Sequence, residues 1–207
     1  MKKIIFLSPF LLTFIFLFNS CSNNNSNITT NNNTEKKQVI KTGTFNLDAE
    51  KSNIEWLGKK LTGSHNGNIK AQKGMIQLDE KGNITAGKFI LDMSTINCTD
   101  LEGESKQGLE DHLNNADFFN TTEFPIASFE ISKVKSDTIF GILTIKDISN
   151  EILFSYKEVG ELAYQADIIV DRTLFNIKYA SKTFIPDIGD RFIYDDFEIN
   201  LNPITFN

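Results

Sequence analysis

The sequence has little of what metal centres, disulfide scaffolds and nucleic-acid-binding surfaces are made of. It contains two cysteines and two histidines in 207 residues, too few for a disulfide framework or a histidine-rich metal centre. Its 21 Lys and Arg residues are outnumbered by 27 Asp and Glu residues, so there is no basic excess to neutralise phosphates. Neither Gly-x-Ser-x-Gly nor His-Glu-x-x-His occurs, two motifs that mark many hydrolases. We therefore expect no nucleic-acid partner, no metal site and no catalytic residue.

Phenylalanine is what the sequence has in excess, with 18 Phe against 1 Trp and 4 Tyr. A Phe ring has neither a hydroxyl nor an indole N–H, so it can line an apolar interior without an unpaired polar group. Five of these residues lie within positions 1–20. The remaining ones belong to the rest of the chain, where they are candidates for an apolar lining.

The N-terminus has the three parts of a secretion signal. Met1–Lys3 is basic, Ile4–Phe18 is almost entirely apolar, and small or polar residues follow. That apolar run is shorter than the roughly 20 residues that a spanning helix needs. Phe18-Asn19-Ser20-Cys21 resembles a bacterial lipobox, in which the Cys is acylated and becomes the first mature residue. We predict a lipoprotein signal peptide at 1–20 and lipid attachment at Cys21; the alternative is an ordinary signal peptide beside a chance Cys.

Residues 21–42 are predicted to form a disordered tether that begins at the lipidated Cys. Asn, Ser and Thr dominate this segment, and it has too little apolar surface to offset the entropy of ordering. Because the chain is acidic, attraction to anionic lipid would not hold it, and acyl chains would have to anchor it. We expect a lipoprotein of the cell envelope, facing the periplasm or anchored in the outer membrane.

Residues 43–207 are predicted to form one all-β domain. Apolar side chains recur at every second position, which is typical of half-buried antiparallel strands. The segments with this period are Ile54–Gly58, Phe89–Met93, Phe129–Ile131, Leu162–Val170 and Phe197–Leu201. Turn residues at Lys81–Asn83 and Lys135–Asp137 indicate hairpins. About eight or nine short strands in this arrangement make a barrel or a sandwich.

The alternation stops at about residues 99–115, where we predict a helical excursion. Thr99–Glu102 has the pattern of a capping box. Leu109, His112 and Leu113 share one helical face, and the adjacent aromatics Phe118 and Phe119 follow. An excursion of this kind can cover the mouth of a barrel.

These motifs, in this order, resemble the YceI-like family of periplasmic lipid-binding proteins over about Gly43 to Leu201. Two departures are visible: Asp147 replaces a usual Gly, and Leu174–Asn176 replaces a usual Asp-Trp-Gly. The matching segments are Ser52–Lys60, Thr62–Gly67, Gly87–Met93, Leu109–Leu113, Asp117–Phe119, Pro125 with Phe129, Leu143–Lys146 and Asp171–Thr173.

The resemblance implies an eight-stranded antiparallel, lipocalin-like barrel that holds a long isoprenoid chain, such as a polyprenyl or quinone tail. A barrel of this size is just wide enough to be filled by side chains or to hold one small ligand. A prenyl chain presents only apolar surface, and each buried CH₂ contributes about 0.8 kcal/mol. The family also includes dimers, so a homodimer is a possible assembly. No cofactor other than the bound lipid is implied.

Strand alternation and the resemblance together predict the residues that contact the lipid. They are Trp56, Phe89, Leu91, Met93, Leu109, His112, Leu113, Phe118, Phe119, Phe129, Ile131, Leu143, Ile168 and Phe197.

Two other functions stay open at this point. One is a structural or interaction lipoprotein whose barrel is filled by its own side chains, because inward Phe, Ile and Leu are also what a packed core shows. The other is an esterase or isomerase that uses His65 or His112. Ser64 and His65 cannot pair as nucleophile and base, because adjacent residues in a strand point to opposite faces, and we interpret them as a turn. Asp171-Arg172 follows a predicted strand, and we interpret it as a structural ion pair or backbone clamp. We therefore expect a binding protein, not an enzyme.

Overall fold

The structure is a computed structural model that describes residues 40–207. The signal peptide predicted at 1–20, the lipid attachment site Cys21 and most of the tether predicted at 21–42 lie outside these residues. Within residues 40–207, no helix is long and apolar enough to cross a membrane.

The described part of the chain consists of strands with one α-helix inserted among them. The helix α1 spans Gly103–Asn114, between the fourth and fifth strands. The strands are β1 Gly43–Asn46, β2 Ile54–Lys60, β3 Gly63–Leu78, β4 Ile84–Cys98, β5 Ile126–Lys135, β6 Thr138–Ile145, β7 Ile148–Gly160, β8 Ala163–Asp171 and β9 Ile193–Thr205.

Eight of these strands close into an antiparallel barrel, as predicted. Hydrogen bonds connect them in the order β3-β2-β9-β8-β7-β6-β5-β4, and β4 pairs back with β3 to complete the ring. β3 is long enough to pair with two strands along one edge: Gly63–Asn68 pairs with β2, and Met75–Leu78 pairs with β1. The ninth strand, β1, is therefore an addition beside the ring. Closure leaves no exposed edge among the eight barrel strands.

The two-residue period of the sequence places one face of each strand inside the barrel. In β8 the buried residues Tyr164, Ala166, Ile168 and Val170 alternate with more exposed ones. Ile169, the apolar residue that breaks the pattern, is 68% exposed, whereas Val170 is 1% exposed. The sequence alternation therefore identified the inward face of this strand correctly.

One end of the barrel, which we call the hairpin end, carries three tight connections and both ends of the folded chain. The β3–β4 turn is held by the Asp79 carboxylate, which accepts from the backbone N–H of Lys81 at 2.8 Å and Asn83 at 2.9 Å. Leu47 and Phe206 form an isolated backbone bridge beside these hairpins. Their side chains line the barrel interior, so the C-terminal segment closes this end.

The opposite end, which we call the helix end, carries α1, the β6–β7 hairpin and the long segment 172–192. The predicted excursion at 99–115 is confirmed as α1, but the capping box is wrong. Glu102 is the N-cap and makes no side-chain capping hydrogen bond. The hydroxyl of Thr99, the capping residue of that box, instead accepts from the side-chain amide of Asn66 at 2.9 Å, so it ties the start of the excursion to β3.

Candidate functional site

The barrel interior contains two cavities stacked along its axis. The cavity at the hairpin end has a volume of about 90 Å³. Its wall is entirely apolar, because the hydroxyls of Tyr156 and Tyr164 and the amide of Gln165 do not face it. The other residues of this wall are Leu47, Ile54, Ile76, Ile84, Phe89, Leu91, Phe129, Ile131, Ile139, Leu143, Ile152, Phe154, Ala166, Ile168, Ile199, Leu201, Ile204 and Phe206.

The second cavity lies at the helix end, has a volume of about 110 Å³, and is almost wholly apolar. Its floor is made by barrel strands, and its cover by Leu113 of α1 and the two rings of Phe118 and Phe119. The strand residues of its wall are Trp56, Leu57, Gly58, Ile69, Leu91, Met93, Ile96, Ala127, Leu143, Ile145, Ile193, Tyr194, Asp196, Phe197 and Ile199, with Arg172 at the rim.

Glycines allow the large aromatic rings to lie flat against the barrel wall. A Cβ on Gly141 would collide with the ring of Phe129, and one on Gly67 would collide with the indole of Trp56 and the carbonyl oxygen of Asn97. The Trp56 indole Nε1 donates to the backbone oxygen of Asn68 at 3.2 Å. The polar edge of this ring is therefore paired, and its apolar surface is left for the cavity.

The cover of the helix-end cavity is fixed by polar contacts behind its aromatic rings. The Phe118 and Phe119 rings pack edge to face with centroids 5.0 Å apart. The backbone N–H of Phe119 donates to the carbonyl oxygen of Leu113 at 3.1 Å. The Lys146 Nζ, from the β6–β7 hairpin, donates to the carbonyl oxygen of Phe118 at 2.9 Å. The cover is thus tied to the barrel through one side-chain hydrogen bond from the hairpin and through α1.

Arg172 shapes the rim beside this cover. It is 1% exposed, and its guanidinium donates to the carbonyl oxygens of Ile177 at 3.0 Å, Ile193 at 3.1 Å and Tyr194 at 3.2 Å. A further bond, of 3.1 Å, goes to the Asp195 carboxylate. The residue is therefore the backbone clamp that we predicted, although its ionic partner is Asp195 and not Asp171, which caps the following turn.

All the predicted lipid contacts except Leu109 and His112 lie on the walls of the two cavities. Leu109 packs against the core from α1. His112 lies between the rings of Phe118 and Tyr179, with centroids at 5.5 Å and 4.3 Å. Burial lowers the pKa of this imidazole, and its Nε2 has no hydrogen-bond partner within the described residues. Contact of any of these residues with a lipid stays a prediction.

His65 and the buried Cys98 form a structural cluster around Asp100. The interpretation of Ser64-His65 as a turn is wrong, because both residues lie in β3. His65 Nδ1 is 3.0 Å from an Asp100 carboxylate oxygen, and the Cys98 thiol donates to the other oxygen at 3.0 Å. Burial and the bond to Asp100 raise the pKa of the Cys98 thiol, which disfavours the reactive thiolate. Within residues 40–207, no three His, Cys, Asp or Glu side chains are placed to hold a metal ion.

The sequence prediction missed several residues of the hairpin-end cavity. Ile54 and Tyr164 follow the two-residue period, so alternation was a sufficient signal for them. Leu47 and Phe206 each lie just beyond a strand and continue its two-residue period, two residues after Phe45 and Ile204. That period does not show that the two residues pair with each other across the barrel end.

Comparison with known proteins agrees with this architecture. A UPF0312 protein of Staphylococcus aureus is 28% identical over 141 residues, which covers 65% of this chain and 80% of that protein. The crystal structure of Burkholderia cenocepacia BcnA has a TM-score of 0.57 at 16% identity and covers 77% of this chain and 99% of its own. A polyisoprenoid binding domain from Saccharophagus degradans has a TM-score of 0.52 at 9% identity, covering 81% and 99%. At these identities the structural likeness shows the fold.

Membership of a family is shown by the sequence itself. Residues 45–203 match the YceI-like domain, a span that runs from β1 into β9, includes the other seven strands of the barrel ring and covers most of β9. The chain therefore belongs to the YceI-like domain family.

Proposed function

We propose that this protein binds one long apolar lipid of the isoprenoid type inside its barrel, as a membrane-anchored carrier of the cell envelope. The observation that carries the proposal is the pair of apolar cavities stacked inside the closed barrel. The fold likeness to a domain described as polyisoprenoid binding supports the choice of an isoprenoid over other apolar lipids.

The chemistry of the walls suits a chain that offers no hydrogen bonds. Each CH₂ moved from water into such an interior contributes about 0.8 kcal/mol. A polar group placed there without a partner is penalised, and the hairpin-end cavity presents none. The head group of the lipid would therefore stay at the helix end, near Arg172 and the cover formed by Phe118 and Phe119.

The same walls favour binding over catalysis. A catalytic acid, base or nucleophile has to reach the bound substrate, and neither His65 nor His112 lines a cavity. Asp196 borders the helix-end cavity, but it is exposed, on the outward-facing side of β9. We therefore propose a protein that holds its ligand without converting it.

One observation favours the alternative of a structural lipoprotein with a self-filled barrel. The cavities of about 90 and 110 Å³ are smaller than the roughly 300–1,000 Å³ of most ligand pockets. A long chain would have to displace side chains that now fill the interior, such as the rings of Phe119, Phe129 and Phe197, which are not held by hydrogen bonds. The two functions can be distinguished by a substitution that adds a large side chain to the helix-end cavity.

Gly58 is the position for this experiment. It lies on the inward face of β2, opposite Phe197, and lines the helix-end cavity. No heavy atom lies within 4 Å of where its Cβ would be, so the side chain of Gly58→Phe can leave the backbone freely and would occupy space in the cavity. Gly108 on the exposed side of α1 also has open space around its Cβ position, which makes Gly108→Phe the matched control.

Calorimetric titration with geranylgeraniol would measure the effect. We expect Gly58→Phe to weaken binding at least tenfold, and Gly108→Phe to bind like the wild type. Wild-type affinity in Gly58→Phe would contradict a ligand in the helix-end cavity.

Organic extraction of protein purified from its own host, followed by mass spectrometry, should yield a prenyl lipid. Repeated extracts without one would favour the self-filled barrel.

A further inference from the structure

Three aliphatic side chains separate the two cavities. Leu91, Leu143 and Ile199 belong to the walls of both the hairpin-end and the helix-end cavity, and no other residue among 40–207 does. We call these three residues the partition. A chain that enters at the helix end reaches the hairpin end only by passing between them.

The partition is distributed around the whole barrel. Leu91 is on β4, Leu143 on β6 and Ile199 on β9. In the closed ring, β4 and β6 are two strands apart, and β9 is three strands from each of them. Side chains spaced in this way converge on the barrel axis from three directions, which makes a constriction instead of a ridge on one side.

Strand pairing fixes the position of the partition along the barrel axis. Ile199 pairs with Trp56 on one side and Ile168 on the other, and these neighbours line different cavities. Leu143 pairs with Phe129, a residue of the hairpin-end cavity. The level of the constriction is therefore set by backbone register and not by loops, so it is a stable feature of the barrel.

We propose that the partition determines how far a prenyl chain penetrates the barrel and thereby selects the length of chain that the protein binds. The inference rests on the proposed function and adds to it a specificity determinant. Isoprene units that fit in the helix-end cavity contribute to affinity, and units that cannot pass the partition stay outside the barrel and contribute nothing.

This arrangement has a measurable consequence in a series of prenyl alcohols. Affinity should rise by roughly tenfold or more with each added isoprene unit that is buried, and should then stop rising at a defined length. Trp56 is the single Trp of the chain and lines the helix-end cavity, so its fluorescence reports occupation of that cavity directly. Geraniol, farnesol, geranylgeraniol and longer homologues, delivered from cyclodextrin, are suitable probes.

Leu143→Ala tests the partition, and Leu78→Ala is its control. Both residues are buried leucines that lose the same atoms, but Leu78 lines neither cavity. We expect Leu143→Ala to move the break in affinity to a longer alcohol by at least one isoprene unit, and Leu78→Ala to leave the break in place. Ile199→Val removes a single methylene from the partition and keeps the test available if Leu143→Ala does not fold.

The possible results separate the two levels of the proposal. A break that moves in the partition variants and not in Leu78→Ala supports the inference. Affinity that rises without a break in the wild type, or a break that neither partition variant moves, would overturn it and leave lipid binding intact. If no prenyl alcohol binds the wild type, the proposed function fails and the inference fails with it.

Discussion

Arg172 shows how one residue can determine the shape of a rim. It is a buried cation whose donors are used on three carbonyl oxygens and one carboxylate, all in the segment from Ile177 to Asp195. Removing this buried cation would leave these acceptors unpaired and the Asp195 charge uncompensated. The expected cost is about 3–5 kcal/mol of folding free energy.

We expect Arg172→Met to lower the free energy of unfolding by about that amount. Arg172→Lys should not restore it, because a single ammonium group cannot reproduce a planar guanidinium with several donors. Urea denaturation would measure both variants. Arg191 is exposed, and Arg191→Met, the control, should change stability by less than about 0.5 kcal/mol. An Arg172→Met protein as stable as this control would contradict the clamp.

His112 gives the cover a dependence on pH. Burial lowers its pKa, while the charge of Asp117 acts in the opposite direction. The unfolded chain therefore takes up the proton at a higher pH than the folded one. The stability due to the neutral imidazole is complete above about pH 6.5 and is lost as the pH falls below that value.

We expect His112→Phe to reduce this loss of stability between about pH 6.5 and pH 5, as measured by urea denaturation at a series of pH values. The Phe ring keeps the packing against Phe118 and Tyr179. Carboxylates such as Asp100 have a lowered pKa, so they lose their contribution only below about pH 4, outside this window. An unchanged pH profile in His112→Phe would mean that another group causes the loss.

Among the elements, the β6–β7 hairpin carries a strained turn. Lys146 and Asp147 connect Ile145 to Ile148 with φ of 52° and 59°, the left-handed region that a type I′ turn requires at both positions. Asp tolerates this region less well than Gly and better than Ala. The departure from the family pattern at Asp147 therefore affects the turn and not the fold.

We expect Asp147→Gly to be the most stable protein, the wild type to be intermediate and Asp147→Ala to be the least stable, with differences of about 0.5–1 kcal/mol in unfolding free energy between successive members. Thermal unfolding followed by circular dichroism would measure it. Lys146 is unsuitable for the same series because its side chain also holds the carbonyl oxygen of Phe118. Equal stability of the Gly and Ala variants would show that the turn relaxes out of the left-handed region.

The strands were predictable from the sequence because each buries one face. In β8, for example, Tyr164, Ala166, Ile168 and Val170 follow the period that a half-buried strand imposes. The start of α1 was less predictable, because the hydroxyl of Thr99 can cap a helix or pair with a distant strand. It accepts from the side-chain amide of Asn66, more than thirty residues away, and no local pattern reports such a contact.

The site was predictable only in part, for the same reason. Alternation identifies inward residues such as Phe89 and Phe129, and the structure places both on a cavity wall. Alternation does not show where each inward side chain lies along the barrel axis. The division of the interior by Leu91, Leu143 and Ile199 could therefore not be predicted from the sequence. His112 shares a helical face with Leu113, yet it turns toward Tyr179, a residue that sequence spacing does not connect to α1.

At the scale of the whole molecule, ligand binding and membrane attachment depend on different parts of the chain. The barrel is closed within residues 54–205, and both cavities are lined from within residues 47–206. The chain has a formal net charge of −6, so electrostatic attraction would not hold it on an anionic membrane. We propose that acyl chains on Cys21 supply the attachment and that the barrel binds lipid without them.

The two cysteines of the chain provide a matched test of this division. Labelling with radioactive palmitate in the native host should mark the wild type, and Cys21→Ala should lose the label and leave the membrane fraction. Cys98→Ala should keep the label and stay in the membrane fraction, because Cys98 is buried and its thiol donates a hydrogen bond to Asp100. Geranylgeraniol should bind Cys21→Ala with wild-type affinity, since no cavity residue is changed. A Cys21→Ala protein that remains labelled and membrane-bound would refute lipidation at this residue, whereas loss of prenyl binding in it would show that the anchor and the barrel act together.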